Sequence, residues 1–315
     1  MLTSPTENRA KLILAIVITA ALCGGLALYF AVREKNEEQI PTDPTIETNQ
    51  ESDTDKIDTT VSKGPELLTV GTSVEGREIE AYTHGATKKS ARSNLLFIGG
   101  IHGGYEWNTV LLAYRFIDYL NASPQAIPLN TRITIIPSAN PDGLYKVVGK
   151  EGRFVSTDIP AGTDESIGRF NANGIDLNRN FACKWKSESS WRGKIVSAGA
   201  SAFSEPEALA IKNIVEAQQP DAVVFWHSQG NAVYASECED GILPETLAVM
   251  NTYAAASGYA PVPSFDAYEI SGDAEGWLAS MGIPAVTVEL KTHQTVEWEQ
   301  NLAGFNALLN YYSKY

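Results

Sequence analysis

Asn94-Leu-Leu-Phe-Ile98, running into Gly99-Gly100-Ile101-His102-Gly103-Gly104-Tyr105-Glu106-Trp107-Asn108, is the stretch on which the fold turns. The short apolar run reads as a buried strand, and the apolar-periodic run from Thr109 through Leu120 reads as a helix. A histidine and a carboxylate four positions apart therefore stand on a glycine-rich turn at the carboxyl end of a strand. In open α/β sheets that edge is where ligands bind. Imidazole nitrogen and carboxylate oxygen are ligand types of a catalytic zinc. The alternative is a tight turn whose His and Glu are merely solvated.

Outward from this unit, Leu67–Gly71 and Glu78–Tyr82 read as two strands around a Ser73–Gly76 turn, and Thr131–Pro137 as another strand. Ser204-Glu-Pro-Glu207 has the form of a capping box, with serine as the N-cap of a helix reaching Gln219. Asp221–Trp226 and Pro284–Leu290 read as buried strands, Pro244–Ser257 as a helix and Val296–Tyr312 as the C-terminal helix. Strands alternating with helices specify an α/β sandwich with a largely buried sheet.

The N-terminal part is of a different kind. The chain has 315 residues, and Leu12 to Val32 is an uncharged, Leu-, Ile-, Val- and Ala-rich segment, long enough to span a bilayer. A cleaved signal peptide has a shorter apolar core, of about 7–15 residues. We read 1–11 as a short tail and 12–32 as a single membrane anchor, with a signal peptide and secretion as the alternative. Leu22 before Cys23 fits a lipidation site poorly. Arg9 and Lys11 before the span and Arg33 and Lys35 after it nearly balance, so charge decides the orientation only weakly. Residues 33–62 read as an acidic disordered linker, because nine acidic and two basic residues lie between Glu34 and Ser62 and aromatics are absent. The globular domain is 63–315. The net charge of −14 argues against a nucleic-acid partner.

The chemistry collects at strand ends. Asp221–Trp226 leads into His227-Ser228-Gln229-Gly230, where the histidine is either a packed core residue or a ligand. Thr131–Pro137 leads into Asn140-Pro141-Asp142-Gly143, a turn signal. In Asp176-Leu-Asn178-Arg179-Asn180-Phe181 an arginine between asparagines suits bidentate recognition of a carboxylate, or else pairs with a structural Asp. Glu289 sits inside the apolar strand Pro284–Leu290, where a carboxylate is costly unless a metal or charged group is near.

These five motifs, in this order, resemble the zinc metallocarboxypeptidase family of the carboxypeptidase A, B and T type, over roughly Pro65 to the C-terminus. The resemblance implies a three-layer α/β/α sandwich with a mixed, mostly buried central sheet of about eight strands. It implies one zinc per chain, held by His102, Glu106 and His227 with the fourth position open. Glu289 would be the general base and Arg169 would stabilise the oxyanion. Asn178 and Arg179 would clamp the terminal carboxylate of a peptide, and Tyr268 matches the substrate-capping tyrosine. Glu275, with Asp273 close by, falls near the position that selects the C-terminal side chain, where an acid would favour lysine, arginine or the free amine of a cell-wall diamino acid. The alternative is that both acids face solvent or cap the helix starting near Gly276.

Two departures stand out. The family places two residues between the first histidine and the glutamate, whereas here there are three, Gly103, Gly104 and Tyr105. Glycines can absorb the extra residue in a bulge, and a helical turn would put positions four apart on one face. The spacing from Arg169 to Asn178 is also shorter than in the digestive enzymes. Cys183 and Cys238 lie in loops that, on the resemblance, meet near the active site, so they form either a disulfide or two free thiols. His84 receives no role, and His293 is read as a surface-loop residue, with lining the pocket as the alternative.

The expected function is a monomeric, membrane-tethered zinc carboxypeptidase, extracytoplasmic and acting on peptides. The alternatives are a peptidoglycan stem-peptide carboxypeptidase, an amide deacylase of the desuccinylase type, and a protein that binds peptide C-termini without cleaving them.

Overall fold

The computed structural model describes residues 64–266 and 268–314. The expected tail 1–11, span 12–32 and linker 33–62 lie outside them. Among the described residues no helix is long and apolar enough to cross a membrane.

In chain order the strands are β1 (Glu66–Thr72), β2 (Glu78–Gly85), β3 (Ser93–Ile98), β4 (Thr131–Ile136), β5 (Glu188–Trp191), β6 (Lys194–Ser197), β7 (Ala222–Ser228), β8 (Ala232–Ala235), β9 (Ala260–Val262) and β10 (Ala285–Leu290). The helices are α1 (Trp107–Ala122), α2 (Pro141–Val148), α3 (Pro206–Gln218), α4 (Pro244–Ser257), α5 (Ala274–Ser280) and α6 (Trp298–Tyr312). Eight strands form one sheet in the order β1-β2-β4-β3-β7-β10-β8-β9, and β5 and β6 form a separate hairpin. β4, β3, β7 and β10 are mutually parallel, while β2 and β8 join this block antiparallel. The sheet is mixed, as expected.

Both faces of the sheet are covered, which makes the three layers. Side chains alternate across a strand. On β3, Leu95 and Phe97 enter one core with Phe116 of α1, Tyr253 of α4 and Phe305 of α6. Leu96 and Ile98 enter the other core with Ile211 and Ile214 of α3 and Trp277 of α5. This is why the run Asn94–Ile98 is continuously apolar rather than alternating: neither face meets water. Trp226 anchors β7, stacked on Phe116 at 5.1 Å and on Phe97 at 5.4 Å. Burying a large apolar side chain of this kind is worth roughly 1.5–3 kcal/mol. The parallel block therefore has a rigid centre, and all its carboxyl ends lie along one edge.

The anticipated strands and long helices are present, with local corrections. The Asn140–Gly143 turn signal opens α2: Asn140 accepts the Gly143 N–H and Pro141 occupies the first turn. Ser204 does not cap α3, because Glu205 holds that position. The Ser204 hydroxyl instead donates to Glu205 and accepts from Asn180, while Glu207 turns inward to accept from Val74 and Asn171. β8 and β9, of four and three residues, are too short to carry a periodic signal.

His84, on β2, is buried with an unpartnered Nε2, and burial lowers its pKa to about 4. Between pH 6.5 and 4 the unfolded chain takes up a proton that the folded chain refuses, so stability falls as the pH falls through that window. Chemical denaturation at pH 7 and pH 4.5 should show a loss about 2 kcal/mol larger in the parent protein than in His84→Gln. Equal losses would refute the assignment.

Candidate active site

The site is built on the edge where the parallel strands end. After β3 the chain turns through Gly99 and Gly100, and Gly103–Glu106 winds into a 3-10 turn that runs straight into α1. Gly103 has φ +47°, and a Cβ there would stand 2.6 Å from the Gly168 carbonyl oxygen. A Cβ on Gly104 would stand 2.5 Å from Val147 Cβ. Two glycines thus let the turn lie directly on α2 and on the segment ending at Gly168. The turn absorbs the extra residue and swings Glu106 back toward His102.

His227 comes from β7, and β10 lies beside it in register, pairing Glu289 with His227. Ligand atoms of His102, Glu106 and His227 all lie within 4.8 Å of one another, and all three residues are buried. His102 Nδ1 and Glu106 Oε2 are buried without a hydrogen bond. Two imidazoles and one carboxylate, converging with unspent lone pairs, fit a catalytic zinc with one open coordination position. His227 Nδ1 lies 3.1 Å from Glu106 Oε2 and its Nε2 lies 3.2 Å from Glu275 Oε1. Burial opposes protonation of His227, but Glu106 and Glu275 outweigh it and raise its pKa well above the usual imidazole range. His102 is driven the other way, by burial and then by the Arg169 charge. Glu289 is pushed up to about 7, mainly by burial and next by the negative charge of Glu106, and its Oε2 has no hydrogen-bond partner. A carboxyl so poised can take and return a proton near neutrality.

These residues line a cavity of about 800 Å³, together with Arg169, Asn178, Arg179, Tyr268 and Glu275. The structure therefore brings every anticipated site residue to one place. Arg169 donates from Nε and Nη2 to Asp176 Oδ2, at 3.0 and 2.8 Å. Arg179 donates to Ser189 Oγ and to the Asn178 carbonyl. Asn178 accepts the Ala274 N–H and donates to Glu275 Oε2. Tyr268 is 45% exposed at the rim and packs on Phe265. Asp273 caps α5 by accepting the Gly276 N–H, so the capping alternative holds for that acid. Glu275 instead points inward and is buried.

Some residues were given no site role from the sequence, or were read elsewhere first. Asp176 is fully buried, and its Oδ1 lies 3.6 Å from His102 Nδ1. It stands two residues before Asn178 in a motif already singled out, so its place was within reach of the sequence. Trp191 was not, because only the β5–β6 hairpin carries it to the cavity. Tyr105, in the three-residue spacer between His102 and Glu106, packs on Trp191 and on His293. His293 is accordingly no surface-loop residue: its Nδ1 lies 2.8 Å from Ser228 Oγ and it lines the cavity. Cys183 and Cys238 form a disulfide. It ties the segment after Asn180 to the one after β8.

A family model described as zinc carboxypeptidase matches residues 51–306. Gamma-D-glutamyl-L-diamino acid endopeptidase 1 of Lysinibacillus sphaericus is 26% identical over 206 residues, which are 59% of this chain and 51% of that protein. The chain thus spans about half the length of that relative. Among solved structures, carboxypeptidase A from Helicoverpa armigera superposes with a TM-score of 0.62 at 22% identity, covering 80% of this chain and 68% of that one. Murein-tripeptide amidase MpaA from Escherichia coli O157 gives 0.54 at 23% identity, covering 77% and 91%. At those identities the two structures share the fold with this chain.

Two predictions follow from the geometry. Gly104→Ala forces a methyl group against Val147 and should cost about 1–3 kcal/mol while weakening zinc retention on dialysis; unchanged stability and zinc content would show that the turn tolerates a side chain. Replacing both Cys183 and Cys238 by Ser should cost about 2–4 kcal/mol. Thiol counting on the unreduced, denatured chain should find Cys23 alone; three reactive thiols would rule the disulfide out.

Proposed function

The chain belongs to the zinc carboxypeptidase family, and from that premise we propose that it is a zinc-dependent carboxypeptidase removing C-terminal residues from peptides. One observation carries the reading: the buried His102, Glu106 and His227 cluster shares its cavity with an in-register Glu289 and with Asn178 and Arg179.

His102, Glu106 and His227 would hold the zinc. Bound there, it supplies Lewis acidity toward a carbonyl oxygen and an attacking water. Glu289 takes the proton of that water at its carboxylate and hands it to the departing amine, so the proton account closes on one side chain. Arg169, steadied by Asp176, offers its remaining N–H groups to the oxygen on which charge develops. Asn178 and Arg179 orient the substrate by its terminal carboxylate, and a guanidinium fork matches that group. Tyr268 stands at the rim where it can fold over a bound peptide.

A second reading, cleavage of a diamino-acid-containing cell-wall peptide, is favoured by the likeness to the Lysinibacillus sphaericus endopeptidase, whose name carries that chemistry. Location is part of the proposal. The segment 12–32 would anchor a monomeric body outside the cytoplasm, and the Cys183–Cys238 disulfide supports an oxidising compartment. Release without an anchor is the alternative.

The test uses the full chain, with zinc content and hydrolysis measured together on peptides ending in Leu, Phe, Lys, Arg and diaminopimelate. The expected result is one zinc per chain and release of single C-terminal residues. Glu289→Gln should lose roughly 10²–10⁴-fold in kcat while keeping its zinc. Zinc without cleavage of any peptide would overturn the peptidase reading in favour of a deacylase or a binding protein.

A further inference from the structure

The family resemblance assigns Glu275 to substrate selection, yet its carboxylate is already occupied. Oε1 accepts the Thr287 hydroxyl at 2.9 Å and lies 3.2 Å from His227 Nε2. Oε2 accepts Asn178 Nδ2 at 3.2 Å. Asn178 is itself fixed, since its Oδ1 accepts the Ala274 N–H at 2.8 Å. Glu275 is only 4% exposed. A substrate ammonium would have to compete with these three partners for a carboxylate that is almost wholly buried.

His227 needs such a neighbour. Its Nδ1 faces Glu106, and its Nε2 is buried without a hydrogen bond, with the Glu275 carboxylate 3.2 Å away. An imidazole that gives one nitrogen to a metal must place the proton of the other, and a carboxylate there fixes the tautomer, the ring orientation and the ligand's basicity. The backbone supports the same arrangement. Thr287 and Glu289 are alternate residues of β10, the strand paired in register with β7. One strand therefore supplies both the carboxyl beside the cluster and the hydroxyl that steadies Glu275.

We propose that Glu275 is a positioning residue of the metal site, holding His227 by its Nε2 edge, and that it does not choose the substrate's C-terminal side chain. This rests on the assignment of His102, Glu106 and His227 as zinc ligands.

The experiment measures the zinc dissociation constant of the full chain by competition with a chromophoric chelator, for the parent, Glu275→Gln and Thr287→Val. Glu275→Gln keeps the shape and removes the charge, and should weaken zinc binding about 10–100-fold. Thr287→Val leaves Glu275 in place without its hydroxyl support and should weaken binding reproducibly, by a smaller factor than Glu275→Gln. At saturating zinc, kcat of Glu275→Gln should fall equally on peptides ending in Lys and in Leu, with KM little changed. A zinc affinity equal to the parent's, or a loss confined to C-terminal Lys, would overturn the proposal and return Glu275 to substrate selection. If Glu275→Gln does not fold, Thr287→Val decides alone: unchanged zinc affinity overturns the proposal, and a reproducible loss supports it. The titration needs no substrate. A chain that holds zinc in a Glu275-dependent way but cleaves nothing would fail only the peptidase reading.

Discussion

The site depends on how closely one turn can approach two other pieces of backbone. Gly103 and Gly104 lie against Gly143, Val147 and Gly168 at distances that leave no room for a Cβ. That contact makes Gly103–Glu106 wind tightly, and the tight winding returns Glu106 to the same side as His102. An inserted residue in a metal-binding turn would ordinarily move one ligand away from the others. Here the three-residue spacer is wound into a 3-10 turn, and the one side chain in it, Tyr105, becomes a wall of the cavity.

Beneath the turn, the strands provide what loops cannot. β7 and β10 are parallel neighbours, so the His227 and Glu289 pairing is set by a hydrogen-bond ladder and by the Trp226 stack under it. A one-residue slip of either strand would send its side chain to the other face of the sheet. Precision at the site is therefore inherited from core packing. The cost is a set of carboxylates held out of water, visible in the raised pKa of Glu289.

Much of this was legible in the residues. Continuous apolar runs announced strands buried on both faces, and the glycine-rich turn announced the ligand edge. Three of the five motifs carry His102, Glu106, His227 and Glu289, which the structure brings to one cavity. What stayed hidden had no local signal. β8 and β9 are too short to show a period, and Ser204 had every feature of a cap until Asn180 claimed its hydroxyl. His293 read as a loop residue because nothing near it in sequence reveals Ser228 or Tyr105 as its neighbours. Glu275 was located correctly at the site, but its partners lie on β10, on β7 and in the segment around Asn178, and only tertiary structure brings those together.

Partners also explain how several buried acids in one small volume come to differ. Burial penalises a carboxylate unless something nearby compensates it. Asp176 has the Arg169 guanidinium, a permanent cation, and so serves as a fixed support for Arg169. Glu275 has a hydroxyl, an amide and an imidazole edge, which satisfy it without leaving it free to react. Among the described residues, neither Glu106 nor Glu289 has a guanidinium ion pair like that of Asp176 or a hydroxyl or amide donor like those of Glu275. Two compensations remain open to carboxyls in that position, a metal cation or a proton. Glu106 lies within the His102 and His227 cluster and is placed to take the first. Glu289 stands beside that cluster, its affinity for protons increased by burial and by Glu106, and is placed to take the second. A carboxyl suited to a metal and one suited to a proton are thus distinguished by which compensating charge the surroundings leave available to each.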